Sequence, residues 1–113
     1  MSKRRDIDYI GDIKEAIELV TAYTQGLTFG EFIQDRKTQD AVIRNLEIIG
    51  EATKNISAHL RKKYPQVPWK EFAGLRDKVI HHYFGIKHDV IWQVKEELPE
   101  IIPQIKEIIN KEV

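Results

Sequence analysis

The chain has 113 residues, 18 of them basic and 18 acidic, and no cysteine. That length suffices for one domain burying about two thirds of the surface its unfolded chain exposes, and the lack of cysteine excludes disulfides, thiolate zinc sites and cysteine nucleophiles. The cancelling charges exclude a strong whole-molecule pull on nucleic acid, no apolar run approaches the roughly 18 residues of a membrane span, and Met1-Ser2-Lys3-Arg4-Arg5 leads into Asp6 rather than a hydrophobic signal core, so the expected setting is the cytoplasm.

In chain order, the first helix is predicted over Asp6 to Thr24, because Ile10, Ile13, Ile17 and Val20 recur at steps of three and four, with Gly26 as its stop. Thr28 and Glu31 have capping-box spacing and predict one short helical turn carrying Phe29 and Phe32. A long second helix is predicted from Asp35 or Thr38, with the stripe Val42, Leu46, Ile49, Thr53, Ile56 and Leu60. Gly50 interrupts it at a cost of about 1 kcal/mol relative to Ala, which predicts close approach of another helix. Gly74 invites the same argument, and the two glycines are expected to mark where the second and third helices come nearest. Glu47 and Glu51, one turn apart, read as surface carboxylates, since no Glu-x-x-His partner completes a metal site.

The stretch Tyr64-Pro65-Gln66-Val67-Pro68 is a break, and Pro68 can begin a third helix anchored by Trp69. After Gly85 the chain is expected to turn, with Asp89 capping a fourth helix striped by Ile91, Val94, Leu98, Ile101, Ile105 and Ile108. Pro99 and Pro103 predict a bend or restart at Leu98-Pro99. No strand pattern alternates anywhere, so the fold class is all-α, in a single domain over residues 1–113.

The third helix carries the chemistry. Trp69, Phe72, Arg76, Val79 and Tyr83 share one face, so Arg76 occupies a slot where the period asks for an apolar side chain. An arginine can bury its methylenes there and send the guanidinium to water, and this structural account stands beside a functional one. Arg offers fixed charge and a planar fork of donors suited to phosphate, and His81 titrates near neutral pH. Together they suffice for metal-free cleavage of RNA: His withdraws the 2′-hydroxyl proton, and Arg stabilises the charge developing on phosphate. The two are five positions apart, about 140° around a regular helix and roughly 7.5 Å along it. Either the helix loosens before Gly85, or a second copy of the chain completes the site. Tyr83, seven residues on, returns to nearly the face of Arg76. His81, His82 and His88 lack the spacing of metal ligands, and no metal is expected. Arg61, Lys62, Lys63, Lys70, Arg76 and Lys78 gather mid-chain, either as solvated helix faces or as a basic rim guiding RNA to Arg76.

Arg76, four residues, His81, one residue and Tyr83 resemble the Arg-x4-His-x-Tyr motif of the HepT-like toxins, a branch of the HEPN superfamily of small helical, often ribonucleolytic domains. The resemblance extends to Asp35-Arg36-Lys37-Thr38-Gln39-Asp40-Ala41, Ile48-Ile49-Gly50-Glu51-Ala52 and Tyr64-Pro65-Gln66-Val67-Pro68-Trp69. It implies an antiparallel four-helix bundle that forms a homodimer with its two motifs on one cleft, acting as the toxin of a two-gene pair. It also implies a minimal nucleotidyltransferase antitoxin that attaches AMP to the motif tyrosine. Carried onto this chain, Arg76 and His81 are the catalytic pair of a cofactor-free, metal-independent RNA endonuclease. Tyr83 is then the AMP acceptor, and Asp77 a supporting polar residue, as the family often has Asp or Asn there. Two other functions fit the residues: a non-catalytic nucleotide- or protein-binding module regulated at Tyr83, and a plain interaction bundle.

Overall fold

The apolar stripes predicted from the sequence fold as helices in the computed structural model of the chain, which describes residues 3–84 and 87–113, residues 81–84 by their backbone only. Helix α1 spans Asp6–Thr24, and Ile10, Ile13, Ile17 and Val20 are all fully buried. The chain leaves it through Gly26 at φ 79°, a left-handed conformation that glycine adopts without steric cost. Helix α2, Phe29–Ile33, starts with the predicted capping box: Glu31 N–H donates to Thr28 Oγ1 at 3.1 Å and Thr28 N–H to Glu31 Oε1 at 2.9 Å. Its Phe32 is fully buried against Trp92, ring centroids 5.0 Å apart, while Phe29 stays near the surface.

Helix α3, Arg36–Lys54, begins at Asp35, whose carboxylate accepts from Thr38 N–H at 3.0 Å and from its hydroxyl at 2.6 Å. It ends earlier than the stripe predicts. At Asn55-Ile56-Ser57 the helix breaks, and a separate α4, Ala58–Lys63, follows. Side-chain bonds offer this segment an alternative to the helix ladder. Ser57 Oγ accepts from Leu60 N–H at 3.2 Å, and Asp6, at the start of α1, accepts from both the N–H of Ser57 at 2.9 Å and its hydroxyl at 2.6 Å. Ile56 and Leu60 remain buried across the break.

The third arm is likewise two helices where one was expected, α5 over Trp69–Ala73 and α6 over Leu75–Phe84. Gly74 ends α5 by donating its N–H to Lys70 O, and its own carbonyl accepts from Lys78 N–H at 2.9 Å. A Cβ on Gly74 would meet nothing nearer than 3.5 Å, whereas one on Gly50 would lie 3.0 Å from the backbone nitrogen of Arg76. Close approach between arms two and three therefore belongs to Gly50 alone; Gly74 marks a break. The fourth arm runs as α7, His88–Glu97, a 3-10 turn over Leu98–Ile101, and α8, Ile102–Glu112, restarting where the prolines require. Asp89 is not the cap of α7. Lys87 holds that position, and Asp89 lies in the first turn, where its negative charge meets the helix dipole.

Helix α3 is the central member, packed against α1, α5 and α6, while α8 lies on α1 and α7 on α6. No strand occurs among the described residues, and no described helix is long and apolar enough to cross a membrane. Trp69 anchors the third arm by donating Nε1–H to Tyr64 O at 2.8 Å. The end of α8 is pinned to α4: Glu112 accepts from the Tyr64 hydroxyl at 2.5 Å and pairs with Lys63 Nζ at 2.8 Å. Lys63 first and Tyr64 second hold the Glu112 carboxyl below its usual range, and Glu112 in turn helps push Tyr64 up to about 12.

A pH dependence follows. Folding favours the ionised Glu112, so its contribution is present above the ordinary value of 4.5 and is lost as pH falls through the lowered folded value. Folding also favours neutral Tyr64, whose contribution is lost as pH rises from 10 through about 12. Glu112→Gln is expected to lower the thermal midpoint at neutral pH, with the difference from wild type closing below pH 4.5, as melts across pH would record.

Candidate active site

Arg76 enters at the first turn of α6, and its setting explains the break in the apolar period. The position is used by backbone: with no side chain on Gly50, α3 comes within contact of the main chain of Arg76. The arginine side chain itself leaves the core. It is 48% exposed, and its Nη1 lies 3.5 Å from Glu51 Oε1. Exposed pairs of this length contribute little to stability, so an incoming anion displaces little when it takes the guanidinium.

Around it lies a concavity of about 420 Å³ between α1, α3 and α6, floored by Ile48 and Ala52. Its rim carries three arginines, Arg4, Arg44 and Arg76, and three carboxylates, Asp12, Glu47 and Glu51. Arg4 is already engaged: Nη1 sits 2.9 Å from Asp12 Oδ2, and the guanidinium lies over the Tyr9 ring, 4.7 Å from its centroid. The hydrogen bond to Asp12 raises its pKa further above the ordinary arginine value. Arg44 is exposed and has no ion pair among the described residues. The concavity can thus orient one anionic group against Arg76 and Arg44, but its balanced charge gives it no broad grip on a polyanion.

The other predicted residues fall differently. Asp77 is exposed in the first turn of α6 and does not line the concavity; its charge suits the helix N-terminus. His81 and Tyr83 are positions of α6, which runs unbroken to Phe84. Loosening of the helix between Arg76 and His81, one of the two routes open from sequence, does not occur. Positions 76 and 81 therefore stay about 140° apart around one axis. The placement of the His81 and Tyr83 side chains, and Gly85 as a terminator, lie outside the described residues. Among those described, no three His, Asp or Glu side chains converge as a metal would need.

Sequence reasoning missed Arg4 and Arg44. A signal for Arg44 was there: Arg44, Glu47, Glu51 and Asn55 recur at steps of three and four, the polar face of α3. The single basic rim also divides. Lys63 is tied to Glu112, Arg76 belongs to the concavity, Lys78 lines a different groove, and Arg61, Lys62 and Lys70 line a third surface together.

A family profile described as ribonuclease HepT-like matches residues 13–108. The chain belongs to the HepT-like ribonuclease family. It is 51% identical over 100 residues, 88% of this chain and 91% of the relative, to a protein of Thermococcus cleftensis named "Probable ribonuclease HepT". It is 49% identical over 111 residues, 97% of this chain and 92% of the relative, to "Putative RNase MJ0127" of Methanocaldococcus jannaschii. A third relative, "Putative RNase TTE0752" of Caldanaerobacter subterraneus subsp. tengcongensis, is 44% identical over 105 residues, covering 92% and 94% of the two chains. No solved structure matches this chain. Arg76, His81 and Tyr83 are all positions of α6, and that helix reaches the concavity through Arg76.

Proposed function

We propose that this HepT-like chain is the toxin of a toxin and antitoxin pair: a metal-independent RNA endonuclease that works as a homodimer. Arg76 clamps the scissile phosphate and His81 withdraws the 2′-hydroxyl proton, leaving a cyclic 2′,3′-phosphate on one product. One observation carries the reading. Arg76 stands at an apolar position with its backbone packed on Gly50, yet its guanidinium is half exposed at a concavity and loosely held by Glu51. Because α6 is continuous from Leu75 to Phe84, a site needing both motif residues on one phosphate favours a partner copy as the source of the histidine.

The family resemblance adds neutralisation by a minimal nucleotidyltransferase, with Tyr83, two turns beyond Arg76 on α6, as the AMP acceptor. AMP attached there would bring bulk and negative charge to the helix that carries Arg76 and, if it reaches the guanidinium, would compete with substrate phosphate for it. The test is cleavage of labelled RNA in EDTA by purified protein, comparing wild type, Arg76→Ala and protein carrying AMP on Tyr83. Cleavage by the wild type alone is expected. Equal cleavage by the AMP-bearing form sinks the regulatory part, and equal cleavage by Arg76→Ala sinks the catalytic part.

A further inference from the structure

The charge balance around Arg76 leaves a question for any enzyme acting on RNA: what holds the strand. Three arginines face three carboxylates there, so the concavity has no net attraction for the phosphates on either side of the one being cut.

A different surface does. Arg61 and Lys62, from the last turn of α4, and Lys70, from α5, line an open concavity of about 760 Å³, with Glu71 as its one acid. The Pro65–Pro68 turn folds α5 back so that these cations share one face although seven residues lie between Lys62 and Lys70. None of the three has an ion pair among the described residues; the Nε of Arg61 is buried and has no hydrogen-bond partner among them, so it is not itself part of the exposed surface. Lys63, next in sequence, is the contrast, being tied to Glu112 at 2.8 Å. Elsewhere on the chain cations are commonly matched, as in Arg4–Asp12, Lys14–Glu18 and Lys111–Glu107. The C-terminal dipole of α4 and Glu71 offset part of the charge, leaving a local excess on a chain whose net charge is zero.

We infer that this corner between α4 and α5 is a second RNA-binding surface, which holds the sugar-phosphate backbone away from the scissile bond. The inference rests on the ribonuclease reading for its choice of ligand. It also fixes the mode of contact. The one aromatic residue lining the surface, Trp69, is 8% exposed and its indole N–H is committed to Tyr64 O, so it offers no open face on which a base can stack. The remaining lining is proline, valine and alanine. The surface grips phosphates with Lys and Arg and is blind to sequence.

Binding of a fully 2′-O-methylated oligoribonucleotide, which lacks the attacking hydroxyl, tests this separately from cleavage. Fluorescence anisotropy across salt compares wild type, Lys62→Gln/Lys70→Gln, and a charge-matched control, Lys37→Gln/Lys106→Gln, at exposed sites outside this surface. Each phosphate contact on a single strand contributes a salt slope of about 0.7. Loss of two is expected to lower the slope by about 1.4 and weaken binding about 25-fold at 0.1 M salt, converging with wild type near 1 M. The control should follow wild type, and thermal midpoints should not move.

Equal losses in both double variants, or none in either, overturn the inference, as does a wild type that does not bind. If the patch instead serves an acidic protein partner, Lys62→Gln/Lys70→Gln keeps its RNA affinity, which also overturns it. Unmodified RNA cleaved by a wild type whose patch variant binds normally counts against this surface only. Binding that depends on the patch with no cleavage counts against the ribonuclease reading only.

Discussion

A mixture of Arg76→Ala and His81→Ala proteins is expected to recover RNA cleavage that neither shows alone. Each single variant should fall by about 10²-fold or more, the contribution of a general base or of a positioned charge at the developing anion. The two positions lie on one unbroken helix, five residues apart, so a single chain cannot readily aim both side chains at one phosphate. If the working pair is Arg76 of one copy and His81 of another, a mixed dimer contains one site with both residues intact and one with neither. Random exchange of subunits makes about half the dimers mixed, so activity should return to about a quarter of wild type. The measurement is cleavage in EDTA after the variants are unfolded and refolded together, with each refolded alone as reference. If the mixture stays as inactive as its components, Arg76 and His81 act within one chain, and the two-copy site is wrong. If the single variants cleave normally, the pair is not catalytic.

How much of this could be read from sequence divides along physical lines. The stripes of α1, α3 and α8 were legible because each is an apolar face with one period, and the stripe residues within these helices are buried. The breaks at Ser57 and Gly74 were not. Ser57 is fixed by Asp6, fifty-one residues away in sequence, and a contact of that range leaves no local trace. At Gly74 the apolar period continues across the break, with Phe72, Leu75 and Val79 all buried, so periodicity alone favoured one helix. The misreading of Asp89 has a similar cause: cap preference names residue types, and an acidic residue in the first turn satisfies the dipole as well as one at the cap. In the site, the exceptional position of Arg76 was legible as a polar residue in an apolar slot. The arginines that share its concavity were not, since Arg4, just before α1, and Arg44, on α3, reach it only through tertiary packing.

Gly50 joins the two levels, and its substitution should separate stability from activity. A Cβ there would stand 3.0 Å from Arg76 N, 3.4 Å from Arg76 Cβ and 3.4 Å from Phe72 O. Two of these are backbone atoms, which cannot rotate away, so α6 must shift by a few tenths of an ångström to admit a methyl. Alanine gains up to about 1 kcal/mol in helix propensity over glycine, which offsets much of that strain. Gly50→Ala is therefore expected to fold within about 1 kcal/mol of wild type. Valine adds two further methyls against the same backbone, and overpacking of this kind costs about 1–3 kcal/mol; with about 4–8 °C of midpoint per kcal/mol for a domain near this size, Gly50→Val should melt visibly lower. Activity should respond more steeply than stability in the alanine variant, because the displaced element is the turn that carries Arg76. Small misplacements of a positioned group cost up to about 10²-fold, and a loss of at least about tenfold in cleavage is expected from Gly50→Ala. Paired thermal melts and cleavage rates decide it. An alanine variant that keeps full activity would mean that the α3–α6 contact tolerates the methyl without moving Arg76, and that the glycine serves packing alone.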